Sequence, residues 1–309
     1  MSVTVQPVDT FEANRQFLLG LAYRLLGRYT EAEDMVQETY LRWHQVVQTN
    51  GAVQNPRSFL SRILTNLCLD YMKSARVKRE EYIGPWLPEP VLERQVQPVM
   101  RDDEVIHFDD MPDLSYALML SLERLSPLER AVFILHDVFS VPFVELSETL
   151  QRTEAACRQL ASRARKNIRQ EKKRFAPSRE NLAQLLNAFL DAASSQNIQT
   201  LNKLLAEDAV LYSDGGGLVM TAARPLEGGD CIARFFCALY ENKPELKELE
   251  KIFVLLNGEP AVFSCDAEGL IQAGLLSLDE NGLIDRLYFI RNPQKLCHLA
   301  TPHADAETT

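Results

Sequence analysis

The feature that most constrains this chain is a change of hydrophobic period near residue 177. Before it, apolar residues recur every three to four positions, the spacing of amphipathic helices. After it they fall into short runs separated by Asp-Gly and Asn-Gly pairs, the pattern of strands and tight turns. A first helix is expected over residues 11–26 on Phe17, Leu18, Leu21, Ala22 and Leu25, stopped by Gly27. Thr30 with Glu33 reads as the capping box of a second helix, which keeps Ala32, Val36, Tyr40, Trp43 and Val47 on its inner face. A third runs over residues 56–79 on Leu60, Ile63, Leu64, Leu67 and Tyr71. Residues 84–111 hold four prolines and two acidic runs without sustained period, which predicts an extended or irregular linker. Helices resume near residue 113, and Ser126-Pro127 with Glu129 is a helix start. Residues 143–150, a three-residue turn and a helix from Glu154 to about residue 173 have helix-turn-helix spacing.

Past Ala176-Pro177-Ser178 the texture is α+β. Leu182, Leu185, Leu186, Phe189 and Leu190 mark one amphipathic helix. Strands are expected over 209–213, 218–223, 252–256, 261–265, 270–278 and 283–290, with hairpin-type turns at Asp214-Gly215, Asn257-Gly258 and Asn281-Gly282. A length of 309 residues fits two or three domains. No apolar run approaches the ~20 residues that span a bilayer, and residues 1–10 lack a signal-peptide pattern, so a cytoplasmic location is expected. The six cysteines and five histidines are scattered without metal-ligand spacing, which predicts reduced, mostly buried thiols, no metal and no cofactor.

A net charge of −10 argues against nucleic acid until its distribution is read. Residues 57–79 carry six cations against Asp70 alone, and residues 152–174 carry nine against Glu154 and Glu171. Residues 179–307 hold nineteen acids against ten bases. Two basic helices on an acidic protein suggest two nucleic-acid contacts with an acidic regulator or partner built in. In steps of about 100°, the helix from Glu154 turns Ala156, Leu160, Ala164 and Ile168 inward and Ala155, Arg158, Gln159, Ser162, Arg163 and Lys166 outward. Arg and Gln can bond bidentately to guanine and adenine, so that outer face suits a recognition helix in the major groove. In the third helix Arg62, Asn66, Lys73 and Arg76 lie away from the apolar face, as a backbone-following helix needs. In the second, Asp34, Gln37, Glu38 and Leu41 form an acidic patch with one apolar residue, suited to a basic partner.

At this point the motifs resemble a known family. Ala32-Glu33-Asp34-Met35-Val36-Gln37-Glu38-Thr39-Tyr40 and the stretch from Arg57-Ser58-Phe59-Leu60 to Leu69-Asp70 resemble region 2 of extracytoplasmic-function RNA polymerase sigma factors. Leu125-Ser126-Pro127-Leu128-Glu129-Arg130 and the helix-turn-helix after it resemble region 4. Trp86-Leu87-Pro88-Glu89-Pro90, Asp214-Gly215-Gly216-Gly217 and Asn292-Pro293-Gln294-Lys295-Leu296 are similar to motifs of the SigJ-like subgroup, which carries a fused SnoaL-like domain. Gln294 stands where that subgroup would have Asp.

The resemblance implies a multidomain chain: two all-α sigma domains (a region 2 helical bundle and a region 4 helix-turn-helix) and an α+β, cone-shaped SnoaL/NTF2-like domain. The expected bounds are 8–83 for region 2, 84–112 for the linker, 113–175 for region 4, 178–298 for the regulatory domain and 299–309 for a tail. It implies core RNA polymerase (β′ clamp and β flap) and promoter DNA as partners, no membrane, and chemistry done by the polymerase alone. Asp34, Gln37, Glu38 and Leu41 would dock on the β′ clamp. Arg57, Arg62, Asn66, Lys73 and Arg76 would serve the −10 element, and Thr153, Glu154, Ala155, Arg158, Gln159, Ser162, Arg163 and Lys166 the −35 element. Trp86, Leu87, Pro88, Glu89 and Pro90, with Asp214, Gly215, Gly216, Gly217, Asn292, Pro293, Lys295 and Leu296, would be regulatory contacts. The cone can also enclose a pocket for a small-molecule ligand. Two other readings remain open from the residues: a helix-turn-helix regulator with a ligand-sensing domain, and a small-molecule enzyme using Asp266. Against the second, Asp266 and Asp279 sit beside turn signals.

Overall fold

The three apolar stripes of the N-terminal part close on one another as a helical bundle. In the computed structural model α1 (Pro7–Leu26), α2 (Tyr29–Asn50) and α3 (Pro56–Glu80) bury Leu18, Leu21, Leu25, Val36, Trp43, Leu60 and Leu64 among them. Each such side chain stabilises the bundle by roughly 1.5–3 kcal/mol. The structure describes residues 7–50, 53–80, 82–96, 114–169 and 179–299. The chain divides into two units, one of residues 1–80, 93–114 and 118–170, the other of residues 81–92, 115–117 and 171–309.

Within the first unit, Gly27 ends α1 at φ 71° as expected. The second helix begins earlier than its capping-box pattern predicts. Thr30 lies inside α2, its hydroxyl donates to Glu31 at 2.9 Å, and Glu33 accepts from the Tyr29 hydroxyl at 3.1 Å. Tyr29 and Glu33, four apart, pair along the helix instead of around a cap. α4 (Glu93–Val96) is a short helix in what the composition reads as linker, and α5 spans Tyr116–Leu122. α6 (Pro127–Phe133) starts where expected, on a capping box of Ser126 and Glu129, then passes into a π turn at Ile134–Val138. α7 (Phe143–Leu150) and α8 (Glu154–Arg169) follow, joined by a turn in which Gln151 takes φ 52°. Buried Arg130 ties these elements to the bundle. Its Nε donates to Arg24 O at 2.9 Å, near the end of α1, and its Nη1 pairs with Glu123 at 2.8 Å.

The second unit is a six-stranded sheet in the order β2-β1-β6-β5-β4-β3, with β1 and β6 parallel and every other pair antiparallel. β1 is Leu205–Asp214, β2 Leu226–Glu227, β3 Glu250–Leu256, β4 Glu259–Asp266, β5 Gly269–Leu278 and β6 Ile284–Ile290. α9 (Arg179–Ser194), α10 (Ile198–Leu204) and α11 (Gly229–Asn242) accompany it, and α12 (Pro293–Leu296) follows β6. The strand expected over 218–223 is instead a turn and loop, and α11 is a helix that the strand-oriented reading passed over. Its stripe of Ile232, Ala233, Phe236 and Tyr240 has helical spacing and packs with Phe189, Leu211 and Leu287. Leu218 and Met220, without a sheet face to bury, are 60% and 88% exposed. Cys68, Cys157 and Cys265 are buried, whereas Cys231 and Cys297 are exposed.

Alternation along the strands gives the sheet two working faces. Leu211 and Ser213 pair with Leu287 and Phe289, Gly274 with Val262, and Ser264 with both Gln272 and Lys251, so these residues share one face with α9 and α11. Tyr212, Asp214, Tyr288 and Ile290 fall on the other, where Tyr116 packs on Tyr288 at 5.0 Å between ring centroids.

Candidate nucleic-acid interface and linker clasp

The face of α8 forms from a cap and a period. Thr153 Oγ1 accepts from Ala156 N at 3.2 Å and fixes where the helix begins. Ala155, Arg158, Gln159, Ser162, Arg163 and Lys166 are all exposed, as the spacing predicts, with Thr153 exposed and Glu154 half-buried beside them. The inner stripe differs from expectation: Cys157, Leu160, Ala161 and Ala164 are buried, while Ala156 and Ile168 are only half so. The helix is rotated toward its cysteine edge because α6 and α7 together cover it, not the preceding helix alone. Arg158 meets Glu154 at 2.6 Å and lies 5.1 Å from the Phe143 ring centroid. Arg165 pairs with Asp137 at 2.6 Å, and Arg163 lies 3.7 Å from Glu129. Such exposed pairs are worth about 0–1 kcal/mol each, so phosphate or base edges can displace them.

On α3, Arg57, Asn66 and Lys73 are exposed and Arg62 half-buried. Arg76 belongs to α3, but its side chain lies outside the described residues. Arg57 sits 3.9 Å from the Phe17 ring centroid, Arg62 lies 3.5 Å from Glu148, and the Ser58 hydroxyl donates to Glu145 at 3.3 Å. The base of α3 therefore meets α7. On α2, Asp34, Gln37 and Leu41 are exposed, Leu41 at 62%, and Glu38 pairs with Arg42 at 2.9 Å. The acidic patch is thus intact, with its apolar residue facing out.

The second unit holds a different kind of site, built where residues 82–91 lie on the sheet. Asp214, the last residue of β1, is fully buried. Its Oδ1 accepts from the Tyr82 hydroxyl at 2.6 Å and Gly216 N at 3.0 Å. Its Oδ2 accepts from Leu87 N at 2.9 Å and Lys295 Nζ at 2.7 Å. Lys295 is 2% exposed, donates again to Leu87 O at 2.6 Å, and rests 3.5 Å from the Trp86 ring centroid. Each charge thus has a full set of partners, the condition under which a buried ion pair is tolerated. Asn292 caps α12 by accepting from Gln294 N at 3.0 Å and donates to the Tyr82 hydroxyl at 2.9 Å. Gln294 is itself exposed, so the turn forms through Asn292 without an acid at 294. Pro293 is exposed and Leu296 buried.

The Asp214-Gly215 pair is therefore no hairpin turn. Gly216 and Gly217 adopt φ 61° and 73°, and a Cβ on either would press on the clasp, 2.2 Å from Asn292 Nδ2 and 2.9 Å from Ile83 Cδ1 respectively. The sequence motifs missed the rest of the grip. Asn257, at the β3–β4 hairpin with φ 53°, accepts from Val91 N at 3.1 Å and donates its own N–H to Val91 O at 2.8 Å. Tyr116 donates its hydroxyl to Pro88 O at 2.7 Å, and His298 Nε2 lies 2.8 Å from Pro90 O. Their only sequence signal was Asn257-Gly258, which reads equally well as a plain turn.

A helical bundle with an exposed acidic patch, joined to a helix-turn-helix, is the layout of a sigma-70-type protein. A family model for sigma-70 region 2 matches residues 10–77, and one for sigma-70 region 4 matches residues 115–168. The chain belongs to the extracytoplasmic-function (ECF) RNA polymerase sigma factors. It is 36% identical to ECF RNA polymerase sigma factor SigJ of Mycobacterium tuberculosis over 85% of this chain and 82% of that one. It is 30% identical to the probable ECF RNA polymerase sigma factor SigI of the same species over 93% of each. The crystal structure of M. tuberculosis SigJ is similar to it with a TM-score of 0.73 at 31% identity, covering 96% of this chain and 99% of that one. As a sigma factor the chain binds core RNA polymerase and promoter DNA and directs transcription initiation. Among the described residues no helix is long and apolar enough to cross a membrane.

Proposed function

We propose that this sigma factor is regulated in cis by its C-terminal domain, acting through the grip on residues 82–91. On this reading region 2 occupies 8–83, the linker 84–112, region 4 113–175, the regulatory domain 178–298 and the tail 299–309, in a cytoplasmic protein. The exposed face of α8 from Thr153 to Lys166 reads the −35 element, with Glu154 orienting Arg158. Arg57, Arg62, Asn66, Lys73 and Arg76 hold the −10 element, and Asp34, Gln37, Glu38 and Leu41 dock on the polymerase β′ clamp, with region 4 on the β flap. The two DNA-reading parts must separate to reach two promoter elements, which requires the Arg62–Glu148 and Ser58–Glu145 contacts to part. The grip on residues 82–91 lies in sequence between them and biases that opening.

The observation that carries this reading is the buried Asp214–Lys295 pair closed around Leu87. We read the domain as a regulator and not an enzyme. Asp266 and Asp279, the carboxylates an enzyme could use, are engaged in their own turns: Asp266 accepts from Glu268 N and Gly269 N, and Asp279 from Asn281 N and Leu283 N. The test is run-off transcription by core polymerase with full-length Asp214→Asn. A coupling of 1–3 kcal/mol changes promoter-specific transcript by about fivefold or more. A folded Asp214→Asn protein giving wild-type transcript rejects regulation through the grip.

A further inference from the structure

The sheet face opposite the linker grip encloses a cavity of about 360 Å³ under α9 and α11. That is at the small end of the range for ligand sites, roughly 300–1,000 Å³. Its body is aromatic and aliphatic, with Phe189, Leu211, Phe235, Phe236, Tyr240 and Phe289 on its walls. Four of its polar groups form a row. Lys251, Ser264 and Gln272 are direct cross-strand partners, and Arg291 follows Ile290, which pairs with Ala273. Four adjacent strands at about 4.8 Å spacing thus place one polar row along one end of the cavity.

The charges in that row are all of one sign. The domain is strongly acidic, yet every charged residue lining the cavity is a cation, Lys243, Lys251 or Arg291. Among the described residues Lys251 Nζ meets only the Ser264 hydroxyl, at 3.0 Å. Arg291 Nη1 donates to Met220 O at 3.2 Å, while its Nε is buried with no hydrogen-bond partner among the described residues. Burial lowers the pKa of both Lys251 and Arg291 from their ordinary values. Half-buried cations without a counter-charge are costly unless something supplies one. The long side chains at the two ends of the row can close on a single group above Ser264 and Gln272.

We propose that this cavity is a binding site for an amphipathic organic anion, its carboxylate or sulfonate held between Lys251 and Arg291 and its aromatic or aliphatic body against Phe189, Phe236 and Phe289. Its lining offers such a ligand cations and neutral hydrogen-bonding groups at one end and an apolar wall along its body. Binding in this cavity does not depend on whether the linker grip regulates transcription.

The probes are 8-anilinonaphthalene-1-sulfonate and N-phenyl-1-naphthylamine, the same ring system with and without the anion, titrated into full-length protein by fluorescence and calorimetry. The sulfonate is expected to saturate at one site per chain. Arg291→Met should weaken it at least about tenfold and leave the neutral amine within about twofold. Lys251→Met, on a different strand, is the second variant and should act in the same direction should Arg291→Met melt early. Ala222→Trp, at the cavity wall, should weaken both probes. The proposal is overturned by the absence of saturable sulfonate binding to protein with a native melting curve. It is equally overturned by folded Arg291→Met and Lys251→Met proteins that bind the sulfonate as wild type does, or that lose both probes alike.

Discussion

The basic face of α8 and the clasp around Asp214 both depend on charge, and they could hardly be built more differently. On α8 the pair Arg158–Glu154 comes from residues four apart, over half of the Arg158 side chain is exposed, and the same helix would present it in any fold. In the clasp, Asp214 and Lys295 are 81 residues apart, and both also hold Leu87. Neither side chain exceeds 2% exposure. Water screens the first pair and leaves it free to exchange partners, as a surface that must bind DNA requires. The second has no water to fall back on, so its partners are fixed and its loss is costly.

Deleting one charge in each place separates the two regimes. Lys295→Met leaves Asp214 buried without its counter-ion and should cost about 3–5 kcal/mol in denaturant unfolding of the second unit. The double variant Asp214→Leu with Lys295→Met should recover much of that loss, since no orphaned charge remains. Unfolding midpoints unchanged by Lys295→Met would mean that water reaches the pair. Arg158→Ala should instead act on DNA, costing about 1–3 kcal/mol at one base position of the promoter if the side chain reads a base. A uniform loss across all sequences, measured by competition binding of the holoenzyme, would reassign Arg158 to a phosphate.

Gly216→Ala tests the close approach at the clasp without touching a charge. Its left-handed backbone alone should cost about 1–2 kcal/mol, and the Cβ adds a collision with Asn292. Smallest of all, Arg158→Ala should shift the thermal stability of the first unit by no more than about 0.5 kcal/mol. A larger shift would show that α8 needs its ion pairs to fold. Replacing Asp34 and Glu38 by Lys extends the comparison to the acidic patch. Binding to core polymerase should fall while the bundle melts as before, because Asp34 is exposed and Glu38 pairs with Arg42 at the surface.

Legibility in the sequence follows the same division. The exposed set on α8 was readable because a helix repeats every ~3.6 residues, and all six outward residues are where that period puts them. The strands at Asn257-Gly258 and Asn281-Gly282 were readable because those pairs force a turn. The same local rule failed at Asp214-Gly215, where the glycines serve approach by a distant segment, and over residues 218–223, where a short apolar run forms a turn and loop instead of a strand. Tyr82, Tyr116 and His298 carried no local pattern, and Asn257 only that of a turn, since the partners they hold in the clasp lie 28 to 210 residues away.

By itself the sequence determined where the helices of the bundle and of the helix-turn-helix lie and which of their faces are apolar, basic or acidic, because each of these is set by spacing within one helix. Only the tertiary structure decided which face of the sheet takes residues 82–91, which carboxylate Lys295 neutralises, and that three cations line one cavity. Those outcomes depend on strand register and burial, which bring together groups whose separation along the chain encodes nothing about their distance in space.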